Sequence, residues 1–538
     1  MGRLGVLLPR LHAVRLPERF HAPSGAHLDH PFCADALRQA RTRDGLGGDR
    51  RPDPLLHLAA LEEHLARRAA ALVGGEHDGL FCRVLVANVS SRVLVIGLDC
   101  APPALVFDRL EPALPNLTAL RRRGTFGPLR SVMPPITVPA WACMVSGRDP
   151  GELGLYGFRN RVPGGRALEI ASTTSARRVW DVASEAGKLV NVLYVPLTSP
   201  PPAVNGVAVS GFLGASLPEG TPFTHPKELG AQLEERFGRH APDVEAFRVH
   251  DVEPLLDELY ENTKRRFDIG RALWRERRPD LSMMVEMGTD RLHHALWRHL
   301  DPTHPEHDPA DPRVRDARDY YSFVDAQVGA WLREVDRETT VLIVSDHGAR
   351  SMLGGVCINE WLRERGLLVL HEAPDEPTPL TLDMIDWSRT QAWGTGGYYA
   401  RIFLNVRGRE PEGIVTDPAR VLTDLMAALH DDGRLRAEAH RPEHLYREVR
   451  GFPPDLLVFF GDLDYRSLGT VGGGVMARED DRGPDGCNHD WDGIFIAAGP
   501  AIRTSGPVDG HHIHDVGVTI LEALGLDVPD GWLGRRIG

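Results

Sequence analysis

Six aspartate and histidine side chains lie close to apolar runs that have the character of buried strands: Asp99, Asp290, His294, Asp346, His347 and His489. Carboxylate and neutral imidazole groups are suitable ligands for Zn²⁺ and Mn²⁺, and three of each can serve two divalent ions. Asp290 and His294 are four residues apart, so a helix beginning there would place both side chains on one face. The sequence therefore predicts a site for two divalent metal ions.

Each of these residues has a simpler explanation when it is considered alone. An aspartate that follows a strand is commonly a helix cap, and a histidine in a turn is usually a polar surface residue. The combination carries the prediction, because all six residues are expected near strand ends.

A seventh residue, Thr137, adds a candidate nucleophile. Pro134 and Pro135 stiffen the chain before it, and Pro139 suits the first turn of a helix. Thr137 is thus expected near a helix N-terminus, where backbone N–H groups and the helix dipole favour an anion. A threonine hydroxyl is a poor nucleophile at neutral pH, and metal coordination can activate it. The alternative is that Thr137 is only a helix N-cap.

The elements that must position these residues alternate between buried strands and helices. Continuous apolar runs predict strands at residues 93–98, 189–195, 281–287, 340–344, 455–460 and 493–498. Helical patterns predict helices at residues 104–123, 139–146, 317–335, 418–430 and 515–524. This alternation is typical of an α/β fold with a mostly parallel central sheet flanked by helices. Ligands bind such sheets at the carboxyl ends of the strands.

The sequence also suggests a division of the chain. Residues 1–90 have the composition of an N-terminal extension that is partly helical, at residues 54–72, or disordered. An alternative is that this segment is upstream sequence included by a wrong start. Residues 91–538 are expected to form the catalytic domain, with insertions at about 200–275 and 350–480 that can form a lid or cap.

Composition and charge narrow the class of protein. The 538 residues include 62 Lys and Arg against 75 Asp and Glu, for a net charge of −13. This charge argues against binding to a nucleic-acid duplex, and a phosphate site must supply its own positive charge. No apolar run reaches the roughly 18–20 residues of a membrane span, and we expect no signal peptide. The six scattered cysteines fit a reducing compartment. We expect a cytoplasmic protein without a membrane partner.

Taken in chain order, these segments resemble the alkaline phosphatase superfamily, most closely its type I phosphodiesterase/nucleotide pyrophosphatase family. The resemblance runs from about residue 92 to residue 537. Four blocks carry it: Ile96-Gly-Leu-Asp99, Pro134-Pro-Ile-Thr-Val-Pro-Ala-Trp141 with Ser146-Gly-Arg148, Asp290-Arg-Leu-His-His294 and Ser345-Asp-His-Gly348. The order of the blocks along the chain also matches, which is more specific than any one block.

The resemblance implies an alkaline-phosphatase-like core and a hydrolase that cleaves phosphodiester or nucleotide pyrophosphate bonds. By position, Thr137 would be the nucleophile and would form a phospho-threonine intermediate. One ion, Zn²⁺ or alternatively Mn²⁺, would be held by Asp290, His294 and His489. The other would be held by Asp99, Asp346, His347 and Thr137. Two ions about 3.5–4 Å apart can neutralise both the entering and the leaving oxygen. The expected substrate is a small phosphorylated molecule, with a nucleotide as one option.

The sequence departs from the family pattern beside the nucleophile. Relatives often have an asparagine after the proline that follows the nucleophile, whereas Ala140 and Trp141 stand here. The phosphate donor is then left open among Arg148, Arg159 and Asn160. Trp141 can stack on a base or belong to the core, and the core is the preferred interpretation. Three further histidines lie near residue 512, namely His511, His512 and His514. They can tune the metal site or lie in an exposed loop, and the exposed loop is the preferred interpretation.

Other functions remain as alternatives. Within the same superfamily, the chain can be a phosphomonoesterase or a cofactor-independent phosphomutase. A catalytically silent relative that binds a phosphorylated partner is the alternative from another class. The candidate nucleophile and all six candidate ligand residues are present, which argues against a silent relative. The stretch Cys100-Ala-Pro102 is similar to a sulfatase motif, but Ala104 and Trp141 do not continue that pattern.

Overall fold

A computed structural model describes residues 92–162, 165–171, 174–212 and 220–538. The backbone contacts assign these residues to one unit, Asn88–Gly538. The predictions for residues 1–90, including the helix at 54–72, lie outside the described residues.

The strands and helices alternate along the first half of the described chain. The strands are β1 Arg92–Leu98, β2 Thr125–Arg130, β3 Arg159–Arg161, β4 Leu168–Ile170, β5 Val190–Leu193, β6 Gly206–Val209, β7 Thr224–His225, β8 Leu281–Glu286, β9 Thr339–Val344, β10 Gly348–Ser351, β11 Gly355–Cys357, β12 Thr378–Pro379, β13 Ala392–Thr395, β14 Ala400–Leu404, β15 Ala437–His440, β16 Leu456–Phe460, β17 Arg466–Leu468, β18 Thr470–Val471, β19 Met476–Ala477, β20 Cys487–Asp490, β21 Asp492–Ala498, β22 Gly506–Pro507 and β23 His511–His512. The α-helices are α1 Pro115–Arg122, α2 Thr137–Ser146, α3 Pro150–Leu153, α4 Val179–Glu185, α5 Leu229–Phe237, α6 Glu253–Arg277, α7 Gly288–Leu300, α8 Arg313–Leu332, α9 Ile358–Glu364, α10 Pro418–Asp431, α11 Pro442–Leu445 and α12 His514–Ala523.

The central sheet is mostly parallel, as the alternation of strands and helices predicted. Its strand order is β22-β2-β21-β9-β1-β8-β5-β6-β7, with β23 also paired to β2. β1 lies in parallel register between β8 and β9, with Val93 opposite Leu281 on one side and opposite Thr340 on the other. β21 runs antiparallel to both of its neighbours, β9 and β2.

Helices cover both faces of this sheet, which explains the continuous apolar runs. Along β1, Leu94 and Ile96 pack into a core with residues of α6, α7 and α8. Val93 and Val95 point to the other face and pack with residues of α2, α4 and α12. Each fully buried aliphatic side chain of this kind stabilises the fold by about 1.5–3 kcal/mol. A strand covered on both faces needs apolar residues at every position.

Two sequence predictions about elements are corrected. The apolar run at 455–460 forms β16, but this strand belongs to a separate antiparallel sheet of order β13-β14-β16-β15. Periodicity identifies a buried strand and cannot say which sheet it joins. The helix predicted at 104–123 is broken into a π-helix, Ala104–Arg109, a 3₁₀-helix, Glu111–Ala113, and α1. Pro112 and Pro115 lack the N–H groups that one continuous helix would need.

The segments expected to be insertions differ in how they pack. The long helix α6, most of which falls within 200–275, lies on the central sheet, where Phe267 and Leu273 are buried. The second sheet, within 350–480, has a core of its own in which Ile402 and Val458 pack with Leu425 of α10. The assignment of either segment as an insertion stays a prediction. Among the described helices, none combines the length and the apolar character that crossing a membrane requires.

Candidate metal centre

The carboxyl edge of the central sheet carries the six residues that the sequence singled out. Asp99 follows β1 directly, and Asp346 and His347 follow β9. Asp290 and His294 lie on α7, which begins just after β8. The antiparallel pair β10 and β20 brings in the last residue, because His489 lies opposite Ala349 in that ribbon.

The six side chains converge into two groups of three, and all are buried. In the first group, Asp290 Oδ1 lies 3.5 Å from His294 Nε2 and 3.5 Å from His489 Nε2. In each group, the nitrogen and oxygen atoms that can hold a metal ion lie within 4.8 Å of one another. We call Asp290, His294 and His489 the first trio.

The second trio consists of Asp99, Asp346 and His347. His347 Nε2 lies 3.1 Å from Asp346 Oδ2 and 3.7 Å from Asp99 Oδ1. The rings of His347 and His489 stack with their centroids 3.8 Å apart, so the two trios adjoin each other.

All three histidines are oriented in the same way by an acceptor on Nδ1. His294 Nδ1 lies 3.1 Å from Asp485 Oδ1, His347 Nδ1 lies 3.1 Å from the Gly348 carbonyl, and His489 Nδ1 lies 2.9 Å from the Pro135 carbonyl. In the tautomer that carries its proton on Nδ1, each ring donates to its acceptor, and Nε2 keeps a lone pair and faces its trio. A second partner of this kind fixes the tautomer of a metal-binding histidine. Arg466 Nη2 also lies 3.2 Å from His294 Nδ1.

The protonation of the trios reflects their burial. Burial, with the nearby Asp346 and Asp290, holds the pKa of Asp99 well above its usual range, and burial also raises the pKa of Asp346. Burial works to raise the pKa of Asp290, but His294 and the Arg291 guanidinium outweigh it and lower that pKa. Burial lowers the pKa of His489 to about 4. A histidine with so low a pKa is neutral at pH 7, as metal binding requires.

Several atoms of the trios lack a hydrogen-bond partner although they are buried. They are Asp99 Oδ1, Asp290 Oδ1, Asp346 Oδ2 and His489 Nε2. A buried polar atom without a partner costs about 1–3 kcal/mol, and these four atoms face one another in carboxylate and imidazole groups. Divalent cations would satisfy all of them, so the residues present fit such a pair of ions.

Thr137 lies beside the second trio. It is the first residue of α2, with Ile136 in the N-cap position, and its side chain is buried. The Thr137 hydroxyl lies 3.3 Å from His347 Nε2. Thr137 is therefore close to a helix N-terminus but is not the N-cap itself, and its hydroxyl faces the second trio.

Trp141 has a structural part in the centre. Its side chain is fully buried, and its Nε1 donates to Asp99 Oδ2 over 2.6 Å. It packs so closely on β1 that a Cβ atom at Gly97 would come within 2.3 Å of its ring. Trp141 thus belongs to the core and orients Asp99, and it has no face available for stacking on a base.

The three candidate phosphate donors lie in different places. Arg148 pairs with Glu152 over 3.0 Å and also binds the Gly531 carbonyl. The Asn160 side chain accepts from the Tyr156 N–H over 2.7 Å, which closes a turn. Arg159 is the candidate that lines the cavity next to the trios.

This cavity has a volume of about 740 Å³. It adjoins the trios through Ile136, which precedes Thr137, through Arg291, which follows Asp290, and through Tyr398. The Tyr398 hydroxyl lies 3.2 Å from His294 Nε2. Both aromatic rings and guanidinium groups line its wall, among them Phe158, Phe212, Phe247, Arg159, Arg248, Arg291 and Arg401.

Three residues that contact the trios directly, Arg291, Tyr398 and Asp485, were not identified from the sequence. Nor was Asp243, which reaches Asp290 through Arg291. Arg291 donates to Asp290 Oδ2 and, over 2.7 Å, to Asp243 Oδ2. Only Arg291, which adjoins Asp290 in the chain, had a local signal. The others come from loops that long-range folding brings to the site.

The histidines near residue 512 contact other parts of the fold. His511 Nδ1 lies 2.7 Å from Asp515 Oδ2, and His514 Nε2 lies 3.1 Å from the Arg148 carbonyl. His511 and His514 are buried, so the expectation of an exposed loop is wrong for them. Their contacts serve the packing of α12.

Comparison with known proteins identifies the family. The sequence matches the family described as type I phosphodiesterase / nucleotide pyrophosphatase over residues 93–487. No curated protein sequence shows a significant match.

Solved structures show the same fold at low sequence identity. Phosphonoacetate hydrolase from Sinorhizobium meliloti 1021, in complex with phosphonoformate, is 15% identical with a TM-score of 0.54, and the match covers 81% of this chain and 96% of that one. An inactive variant of murine ectonucleotide pyrophosphatase / phosphodiesterase 5, in complex with AMP, is 14% identical with a TM-score of 0.50, and the match covers 82% and 96%. The family match spans most of the chain, and the chain belongs to the type I phosphodiesterase / nucleotide pyrophosphatase family.

Proposed function

We propose that this chain is a metal-dependent phosphoric-ester hydrolase that cleaves phosphodiester or nucleotide pyrophosphate bonds through a phospho-threonine intermediate on Thr137. One observation carries the proposal: the buried Thr137 hydroxyl lies 3.3 Å from His347, beside two trios in which three carboxylate oxygens and one imidazole nitrogen lack partners. Family membership supports the same class of reaction.

The two trios would hold two divalent cations, Zn²⁺ in the first instance and Mn²⁺ as the alternative. Bound there, such cations would lower the pKa of the Thr137 hydroxyl and neutralise charge on the phosphoryl group. The three buried carboxylates favour this occupancy, because two divalent cations would leave the site with net positive charge for a phosphate.

The protein groups position the reaction. The Thr137 hydroxyl loses its proton as Oγ1 forms the bond to phosphorus. The bond from phosphorus to the leaving oxygen breaks on the opposite side, and the alcohol or nucleotide leaves as that oxygen takes up a proton. Water then cleaves the bond between phosphorus and Oγ1, which releases phosphate or a phosphate monoester and restores the hydroxyl. Trp141 keeps Asp99 in place and Asp485 keeps His294 in place through the hydrogen bonds that each makes.

The cavity suits a small phosphorylated substrate with a flat ring. Its arginines can pair with phosphate oxygens, and its phenylalanine and tyrosine rings can stack on a base. The structural relative that contains AMP is consistent with a nucleotide as one option for the substrate.

Hydrolysis of p-nitrophenyl esters tests the proposal. The purified protein is assayed with bis-p-nitrophenyl phosphate, p-nitrophenyl phosphate and p-nitrophenyl sulfate, each with and without added Zn²⁺ or Mn²⁺. We expect metal-dependent turnover with a preference for the diester. Preference for the monoester would move the assignment to a phosphomonoesterase or phosphomutase. If no ester is turned over with either metal, the chain is a silent relative.

A further inference from the structure

A second cluster of possible metal ligands lies next to the trios and has no part in the proposed reaction. It consists of Cys100, His293 and Cys487, whose side chains are all fully buried. Their sulfur and nitrogen atoms lie within 4.8 Å of one another. We call these three residues the thiol cluster.

The thiol cluster is built from the same elements as the metal centre. Cys100 follows Asp99 at the end of β1, and His293 precedes His294 on α7. Cys487 begins β20, two residues before His489. A cation bound to all three would therefore join the ends of three elements that also carry the six candidate ligands.

His293 is only half paired. Its Nε2 lies 2.7 Å from the Tyr321 hydroxyl, whereas its Nδ1 is buried without a hydrogen-bond partner. If Nε2 donates its proton to Tyr321, Nδ1 holds a free lone pair. A partner on one ring nitrogen and a free lone pair on the other is the arrangement of a metal-binding histidine.

The thiols have a simpler explanation, which covers only part of the cluster. Cys100 Sγ donates to the Gly348 carbonyl over 3.3 Å, and Cys487 Sγ donates to the Asn488 carbonyl over 3.2 Å. These weak bonds leave His293 Nδ1 unpaired. They also do not explain why a cysteine occupies position 100, where φ is +65°. That conformation costs a residue with a Cβ about 1–2 kcal/mol.

We propose that Cys100, Cys487 and His293 Nδ1 bind a thiophilic divalent cation, Zn²⁺, at a site that adjoins the two trios, since Cys100 Sγ also lies within 4.8 Å of His347 and His489. Thiolate and imidazole are preferred ligands of Zn²⁺. Binding releases the two thiol protons to solvent. The two thiolates then neutralise the ion, so the site adds no net charge beside the trios. Its role is to hold β1, α7 and β20 together.

Cobalt substitution can distinguish this site from the trios. A thiolate-to-Co²⁺ charge-transfer band in the near ultraviolet reports a cysteine ligand, which the six residues of the trios do not supply, and its loss in a variant without Cys487 assigns the band to the thiol cluster. Metal-free, reduced full-length protein is titrated with Co²⁺. We expect the band in the wild type and in Cys143→Ala, which removes a buried thiol outside the cluster. The band should be lost in Cys487→Ala.

A measurement on the wild type guards against failure of a variant to fold. X-ray absorption of the Zn²⁺-loaded protein should show sulfur neighbours at about 2.3 Å. The proposal is overturned if Co²⁺ binds without the thiolate band, if Cys487→Ala keeps the band, or if no sulfur neighbour is found. A Cys100–Cys487 disulfide in the purified protein would also overturn it, since the thiols would then be consumed. None of these readouts depends on hydrolytic activity.

Discussion

The buried carboxylates of the candidate metal centre differ in their hydrogen bonding from a buried carboxylate at the contact between α1 and α8. At that contact, the buried Asp325 of α8 accepts from the backbone N–H of Asn116 over 3.0 Å and of Leu117 over 2.8 Å. The Asn116 side chain donates to it as well, over 2.7 Å. These N–H groups belong to the first turn of α1, which has no partners within the helix for them. Both oxygens of Asp325 are therefore paired.

The carboxylates of the metal centre are just as deeply buried, but they are not fully paired. Asp99, Asp290 and Asp346 each keep one oxygen without a partner, and these oxygens face the histidines of their trios. Isolated unpaired atoms occur elsewhere, as on Asn191. Burial of a polar group thus does not mark a functional site by itself. A functional site is indicated where several unpaired ionisable groups converge.

The largest effect is expected for Thr137→Ala. Loss of the hydroxyl that attacks phosphorus should reduce diester hydrolysis by at least about 10³-fold, while metal content stays unchanged because the six ligands remain. Turnover and bound metal are measured on the same preparation. Thr137→Ser, which keeps a hydroxyl, should retain part of the activity. Near-normal rates for Thr137→Ala would exclude Thr137 as the nucleophile.

Asp290→Ala should lose bound metal and activity together, because the first trio would keep only its two histidines. Elemental analysis and diester hydrolysis give the two readouts. This variant tests the unpaired setting directly, because Asp290 is a buried carboxylate with an unpaired oxygen, unlike Asp325. Full metal content in Asp290→Ala would contradict the assignment of this trio.

Asp485→Asn sharpens the comparison, because Asp485 is fully paired and yet contacts a ligand. Its oxygens accept from His294, Arg248 and Arg466. Loss of its charge should weaken metal affinity by about 10–100-fold, the usual effect of removing such a partner. Metal affinity is measured by competition with a chelator. Asp480→Asn is the matched control, since Asp480 pairs with Arg466 but not with His294. Equal loss in both variants would argue against a specific orienting role for Asp485.

The smallest effect on activity is expected for Asp325→Ala. Removal of its oxygens leaves the N-terminal donors of α1 unpaired, so the free energy of unfolding should fall by about 3 kcal/mol. Chemical denaturation measures this change. Metal content and turnover of the folded variant should match the wild type. Loss of metal in Asp325→Ala would show that the metal centre and the contact between α1 and α8 are not separate.

Local sequence patterns predicted much of the fold and of the candidate ligands, and the reasons are physical. Within β1, residues 93–98 form a continuous apolar run because helices cover both faces of the strand. Asp99 is conspicuous because it ends that run. The spacing of Asp290 and His294 follows from one turn of α7. By contrast, Asp243, Tyr398 and Asp485 reach the site through loops, and no local pattern records such long-range contacts. The run that forms β16 shows the same limit, since burial alone does not identify the sheet that a strand joins.

Anomalous diffraction from crystals of the Zn²⁺-loaded protein tests most directly whether metal ions bind at the unpaired carboxylates of the trios and not at the fully paired Asp325. At the trios, and independently of a peak at the thiol cluster, we expect one anomalous peak in contact with Asp290, His294 and His489. A second is expected in contact with Asp99, Asp346 and His347, with the Thr137 hydroxyl directed towards it. No peak is expected near Asp325. Empty trios, or a Thr137 hydroxyl turned away from the second peak, would contradict the assignment of the metal centre.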